Sequence, residues 1–292
     1  IIGQEIGMIQ DNPDWKVFTN LMAALYQHHP IRLSVAGSVE SIAEITPETL
    51  YACHKAFYDP ANMVLCVAGP VEAEKICDIA REILPKEAGP IAGRDYGPQE
   101  PEQVAQPLIE ETMEVSIPIF QLGYKGDAPQ RGEVGARQEL LGELACEALL
   151  GNSTPLYARL YREGLINRNF SYGYEAMPGA TFLAAGGESK DPEAVRQAVQ
   201  QEAERIVREG VDPDLWRRIK KGSYGGKVRS LNSFENLCVG QAQSFFAGSD
   251  LLDFPRLFDT IEKADVENLI ARWVTPERTA LSVVRPGEEE AK

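Results

Sequence analysis

Apolar residues recur at helix or strand spacing along most of the chain. Ile2, Ile6 and Ile9 share one helical face, which predicts a helix over the first eleven residues with one side buried and Glu5 beside it. Asn12-Pro13 reads as the start of a second helix, a cap followed by a proline whose missing N–H costs nothing there, and Phe18, Leu21, Met22 and Leu25 form its apolar stripe. Thr46-Pro47-Glu48 caps a third helix that runs to about Phe57. MVLCVAG (63–69) is an apolar run expected as a buried strand, followed by a helix from about Glu72 to Leu84. Further on, the pattern predicts strands near 113–124, 170–176 and 181–187, and helices near 133–149, 192–209, 213–229, 233–247 and 263–274. Asp191, Pro192 and Gly210 punctuate the 192–209 helix at both ends. Mixed order with adjacent strands points to an α+β fold.

Residues 86–107 lack any period and are rich in Pro, Gly and charge, as an exposed linker reads. The expected organisation is a first segment at 1–88, a linker at 89–106 and a second segment at 107–288. A repeat joins the two segments. ITPETLYACHKAFYDPANMVLCVAGP (45–70) aligns without a gap on IEKADVENLIARWVTPERTALSVVRP (261–286), an offset of 216, with Phe57 meeting Trp273, Pro60 meeting Pro276 and Pro70 meeting Pro286. If the second unit begins near 107, the same offset places the beginning of the first about a hundred residues before Ile1, so the first unit is expected to be incomplete here.

Composition narrows the classes. A length of 292 residues suits about two domains, and 43% hydrophobic residues supplies their cores. Lys and Arg number 29 against 44 Asp and Glu, a net charge of −15 with no compact basic cluster, which argues against nucleic acid or an anionic membrane as partner. No apolar run approaches the ~18 residues that span a bilayer, and no secretory leader pattern is present. Cys53, Cys66, Cys77, Cys146 and Cys238 are odd in number and contain no C-x-x-C pair, so they read as reduced cysteines of a cytoplasmic protein. His28, His29 and His54 are the only histidines, and none has the i, i+4 partner that places two imidazoles on one helix face. Structural roles are expected for all three. There is no G-x-S-x-G, and GGES (186–189) ends a strand as a turn would.

The run IIGQEIGMIQDNPDWKVFTNLMAALYQHHPIRLSVAGSVESIAEITPETL, continuing through FYDPANMVLCVAG, resembles the pitrilysin/insulinase-type inverzincin metallopeptidases, in particular the bacterial processing-peptidase-like members. STPLYARLYREGLI, KKGSYGGKVRSLNSFENL and PERTALSVVRP extend the resemblance over nearly the whole chain. It implies two related clamshell-type α+β units with mostly antiparallel sheets and packed helices. It also implies zinc held by two histidines of an H-x-x-E-H helix and by a glutamate of a later helix, in the motif matched here by QEI. Glu5 takes that third-ligand position. H-x-x-E-H itself occurs nowhere in the 292 residues, so no catalytic base is expected in this chain and no tight zinc site.

The second segment holds no histidine, and Glu5 plus 216 falls on Lys221, so this half is expected to enclose substrate without catalysing. In the family it contributes an Arg and a Tyr that hold the substrate. LYREGLINRNFSYGY (160–174) departs from that pattern, with Tyr161 at the Arg position and Asn167 at the Tyr position. Arg162 is a candidate for the role and reads equally well as a surface helix charge. Two functions follow. In one, the intact protein is a zinc endopeptidase acting on peptides or unfolded segments, inactive as this chain alone. In the other, it is a non-catalytic substrate-holding or scaffold subunit. In either case a homo- or heterodimer with a related subunit is expected, because apolar area of the first segment is left open.

Overall fold

The computed structural model describes residues 2–85, 87 and 89–287. The first segment is helical: α1 (Ile2–Gln10), α2 (Pro13–Leu25), α3 (Val39–Ala43), α4 (Pro47–Phe57) and α5 (Ala73–Ile83). In the second, β1 (Leu108–Met113) and β2 (Ile119–Lys125) precede α6 (Gly132–Leu150) and α7 (Pro155–Arg162). The hairpin β3 (Ser171–Met177) and β4 (Ala180–Glu188) then leads into α8 (Pro192–Glu209), α9 (Pro213–Ser230), α10 (Phe234–Ala247), α11 (Phe254–Asp259), α12 (Lys263–Trp273) and β5 (Thr279–Pro286). The five strands make one sheet in the order β1-β5-β2-β4-β3, antiparallel throughout except for the β1–β5 pair. The α+β class is therefore as the pattern predicts, and the mostly antiparallel sheet is as the resemblance implies.

The strand expected at 113–124 is two strands. Residues 114–118 leave the ladder, with Pro118, which has no N–H to donate, just before β2. The short helices α3, α7 and α11 have no counterpart in the periodicity reading, although Thr154 caps α7 through the Tyr157 amide with Pro155 at its first position.

Alternation divides the sheet's two faces between two cores. Phe120, Leu122 and Tyr124 of β2, Leu183 and Ala185 of β4, and Leu281 and Val283 of β5 face a layer that includes α6, α8 and α12. The other face holds Ala180, Phe182 and Ala280, and it is covered by α2 of the first segment. Val17, Leu21, Met22, Ala24 and Leu25 of α2 are all buried. Gly123 admits the close approach: a Cβ there would lie 2.9 Å from Leu21 and 3.0 Å from Leu25. Gly142 does the same on the opposite side, where a Cβ would meet the Tyr174 ring at 2.2 Å.

The connection between the segments is fastened at its end. Gln106 donates its amide to the Ala24 carbonyl and Val104 donates to Glu277, both at 3.0 Å. Glu100 forms a buried pair with Lys125 at 2.6 Å and accepts the amides of Gln27, His28 and His29. Lys125 lies 5.0 Å from the centre of the Tyr26 ring as well. Burial works against the Glu100 carboxylate, but Lys125 and the three amides outweigh it and hold its pKa down to about 2.

The repeat is visible in the elements. α4 and α12 coincide residue for residue at the offset of 216, as do the 3-10 turns Pro60–Asn62 and Pro276–Arg278 that follow them. The next eight residues differ. Residues 279–286 form β5, an interior strand, whereas MVLCVAG, expected as a buried strand, pairs with no strand among the described residues. Met63, Leu65 and Val67 are exposed and Val64, Cys66 and Ala68 half-buried, which is strand-like alternation without a ladder. A strand needs neighbours to satisfy its amides and carbonyls, and the described residues supply none for this one.

Candidate functional site

Glu5 projects from α1, a helix whose one buried residue is Ile6, packed in the turn beside it. The Glu5 side chain is exposed, with no hydrogen bond or ion pair among the described residues. Of the histidines, His29 and His54 make local structural contacts. His29 is buried, its Nδ1 accepts the Ile31 amide at 3.2 Å, and the remaining Nε2–H points to the Pro178 carbonyl at 3.0 Å. Its ring stacks on Tyr96 with centroids 5.3 Å apart. His54 stacks on Tyr58 at 4.9 Å within the last turns of α4, and His28 is exposed. Among the described residues no group of three or more His, Cys, Asp or Glu is arranged to hold a metal ion. Zinc takes three or four such donors, so the described residues by themselves do not fit it.

Arg162 lies in the last turn of α7, exposed and without an ion pair among the described residues. The charge cluster that organises the second segment was not foreseen from the sequence. Arg278, only 5% exposed, donates to both the Lys125 carbonyl and Asp127 at 3.2 Å and pairs with Glu102 at 2.9 Å. Asp127 also accepts from the Trp273 indole at 3.1 Å and pairs with Arg272. Glu102, Asp127, Arg272 and Arg278, with Gln103, Thr275 and Glu277, line a cleft of about 520 Å³. Arg272 and Arg278 face three carboxylates there, Glu102, Asp127 and Glu277, and the planar guanidinium of Arg278 ties the start of β5 to Asp127, which the Trp273 indole joins to the end of α12. On α6, Glu143 pairs with Lys227 at 2.7 Å, and Glu147 accepts the Tyr172 hydroxyl at 3.2 Å.

Residues 44–223 match the family model described as the Peptidase M16 inactive domain. The chain is 33% identical to a Bacillus subtilis protein named uncharacterized zinc protease YmfH, over 98% of this chain and 67% of that one. The chain belongs to the M16 peptidase family. Its structure superposes on that of an M16-like peptidase from Alicyclobacillus acidocaldarius with a TM-score of 0.90 at 26% identity, covering 98% of this chain and 69% of the other. The M16 inactive domain from Pseudomonas fluorescens shares the fold, with a TM-score of 0.82 at 18% identity over 98% and 68% of the two chains. The chain thus spans about two thirds of the length of the relatives that it matches from end to end. Several of these relatives carry the name zinc protease. The family assignment drawn from the run that begins at QEI holds.

Proposed function

We propose that this chain is the part of an M16 zinc endopeptidase that supplies one metal-ligating carboxylate, Glu5, and the histidine-free half that encloses a peptide. The organisation that goes with this reading is 1–88 as part of the metal-bearing half, 89–106 as the connection and 107–288 as the enclosing half. Glu5 carries the reading: a helix-borne carboxylate, exposed and without a charge partner among the described residues, at the motif position where the family places its third ligand. One oxygen donor leaves zinc essentially hydrated, so the other ligands and the general base must come from an H-x-x-E-H helix outside this sequence. The chain alone is then inactive, and no catalytic step is assigned to it. Net charge −15 favours peptides over nucleic acid as the molecule enclosed. Five free cysteines are in keeping with a cytoplasmic protein. No helix among the described residues is long and apolar enough to cross a membrane.

A second reading, a non-catalytic substrate-holding or scaffold subunit paired with a related chain, is favoured by Arg162: the family's substrate-holding Arg and Tyr positions are Tyr161 and Asn167 here. The test is zinc content and peptide hydrolysis of the protein as encoded, beside its Glu5→Gln variant. The endopeptidase reading expects stoichiometric zinc and activity, both lost in the variant with the fold retained. Full activity of Glu5→Gln overturns the assignment of Glu5, and absence of zinc and activity from the unmodified protein leaves the scaffold reading.

A further inference from the structure

The charge of the chain is unevenly laid out. α9 holds six cationic residues, Arg217, Arg218, Lys220, Lys221, Lys227 and Arg229, and a single carboxylate, Asp214, so this one helix is positive in a chain of net charge −15. The absence of a compact basic cluster expected from the sequence therefore fails at 217–221. Three of the six cations are engaged: Arg217 pairs with Asp214 at 2.9 Å, Lys227 with Glu143 at 2.7 Å, and Lys220 donates to the Ile261 carbonyl at 2.7 Å. Arg218, Lys221 and Arg229 are exposed, and none makes an ion pair or a side-chain hydrogen bond among the described residues.

These three share a face. Leu215 and Ile219 are the buried residues of α9, and a turn of about 100° per residue sets Arg218, Lys221, Gly222, Gly225 and Arg229 on the side away from them. A rise of 1.5 Å per residue puts Arg218 and Arg229 about 16 Å apart, with the two glycines between them. A Cβ added at Gly222 or Gly225 would meet nothing within 4 Å, so packing among the described residues does not call for glycine there, although glycine weakens a helix interior relative to alanine. The helix dipole does not account for the cations either. It favours Arg229, in the last turn, but offers nothing to Arg218 and Lys221 in the first half of the helix.

We propose that the row Arg218, Lys221 and Arg229 of α9 binds the acidic side chains of an extended peptide, whose backbone lies close to the helix over Gly222 and Gly225. A guanidinium takes a carboxylate through two parallel N–H donors, which suits Arg218 and Arg229 at the ends of the row. Extended backbone advances about 3.3 Å per residue, so the 16 Å span fits carboxylates about five positions apart. The inference rests on the reading of 107–288 as the half that encloses a peptide, and it names an acidic stretch as what that half takes hold of. Outside α9, which contributes +5, the chain carries −20. A short peptide meets only the row, whereas an extended polyanion such as nucleic acid meets the repelling remainder as well.

The test is isothermal titration calorimetry of the protein as encoded, in the presence of a chelator. The probes are an acetylated and amidated peptide of about twelve residues with two glutamates five positions apart, and its glutamine and lysine counterparts. The glutamate peptide is expected to bind at least tenfold more tightly than either counterpart, and Arg218→Gln combined with Arg229→Gln to weaken it at least tenfold. Gly225→Leu is expected to weaken it as much by filling the space over the helix; leucine is the better helix former and meets no neighbour there, so the variant folds. Arg217→Gln, at the cation already paired with Asp214, is expected to leave the affinity within twofold. Equal affinity for the three peptides, or an affinity indifferent to the double variant or to Gly225→Leu, as when another part of the protein covers the row, overturns the proposal. Tighter binding of a twelve-nucleotide single-stranded RNA, or of vesicles containing anionic lipid, assigns the row to a polyanion and overturns it as well. Zinc and hydrolysis play no part in these titrations, so a failure here leaves the endopeptidase reading to its own test, and a failure of Glu5 in that test leaves the row to this one.

Discussion

Residues 45–70 and 261–286 start from nearly the same pattern and end in different environments. Ile261, Val266, Leu281 and Val283 are at most 2% exposed, whereas their counterparts Ile45, Leu50, Leu65 and Val67 are between 47% and 64% exposed. The helix and the 3-10 turn form in both copies because their hydrogen bonds close within the segment and Pro60 and Pro276 pre-set the backbone of the turn. The strand forms only where neighbours wait, β1 on one side and β2 on the other. Local elements follow from local sequence. Strands are settled by what lies across the ladder.

The largest effect that can break this comparison comes from paired truncations. Leu281→Ala in this 292-residue chain is expected to cost about 3 kcal/mol, since it removes buried methylenes between β5 and the helix layer. Leu65→Ala, at the matching position, is expected to stay within about 0.5 kcal/mol. Urea unfolding of the two variants measures both. Comparable costs in this chain would mean that 63–70 is packed after all.

The corner after each helix gives the next contrast. Arg278 is buried against Asp127, while its counterpart, Asn62, donates to the Phe57 carbonyl at 3.1 Å and accepts from Arg94 at 3.5 Å, with no charge partner of its own to lose. Asp127→Ala leaves the Arg278 guanidinium buried with less compensation and should cost about 3 kcal/mol, read as a fall in the urea midpoint at unchanged slope. Asn62→Ala should cost well under 1 kcal/mol.

How much of this could be read beforehand follows the same line. The bounds of α4 were legible from Thr46, Pro47 and Phe57, and those of α8 from Asp191 and Gly210, because caps are local. The strand at 63–69 was misread because an apolar run reports burial only where something buries it. The Glu100–Lys125 pair and the Asp127–Arg278 cluster join residues 25 and 151 positions apart, and no spacing rule reaches that far. Glu5 was legible only through the family motif, because an isolated helix carboxylate has no pattern of its own.

Acid should separate the two segments by way of the joint between them. The folded pKa of Glu100, about 2, lies below its ordinary value of 4.5, so the ionised form is the one that folding favours. Its stabilisation is therefore complete above pH 4.5, declines as the pH falls through that value and is gone near pH 2. After allowance for solvent screening the amount is on the order of 2 kcal/mol. Glu100→Gln should remove this part of the pH dependence, and the difference in melting temperature between it and the unmodified chain should hold above about pH 5 and shrink from there towards about pH 2. A constant difference across that range would place the Lys125 pairing outside the stability of the fold.

The smallest expected effect is at Glu5, and its smallness is informative. The side chain is exposed, makes no hydrogen bond or ion pair among the described residues, and neighbours only one buried residue, Ile6. Removing its charge should change the stability of the 292-residue chain by less than about 0.5 kcal/mol. A carboxylate that contributed to the fold would have been tied to a cap or a cation, as Glu100 and Asp127 are. Ile6→Ala, one position along the same helix, should by contrast cost about 2 kcal/mol, because it opens a cavity where α1 meets its neighbours. Calorimetric titration with zinc should show no tight site in either variant of this chain, for want of further donors. A tight zinc site in the unmodified 292-residue chain that Glu5→Gln abolishes would mean that residues of this sequence complete the coordination and would relocate the metal centre within it.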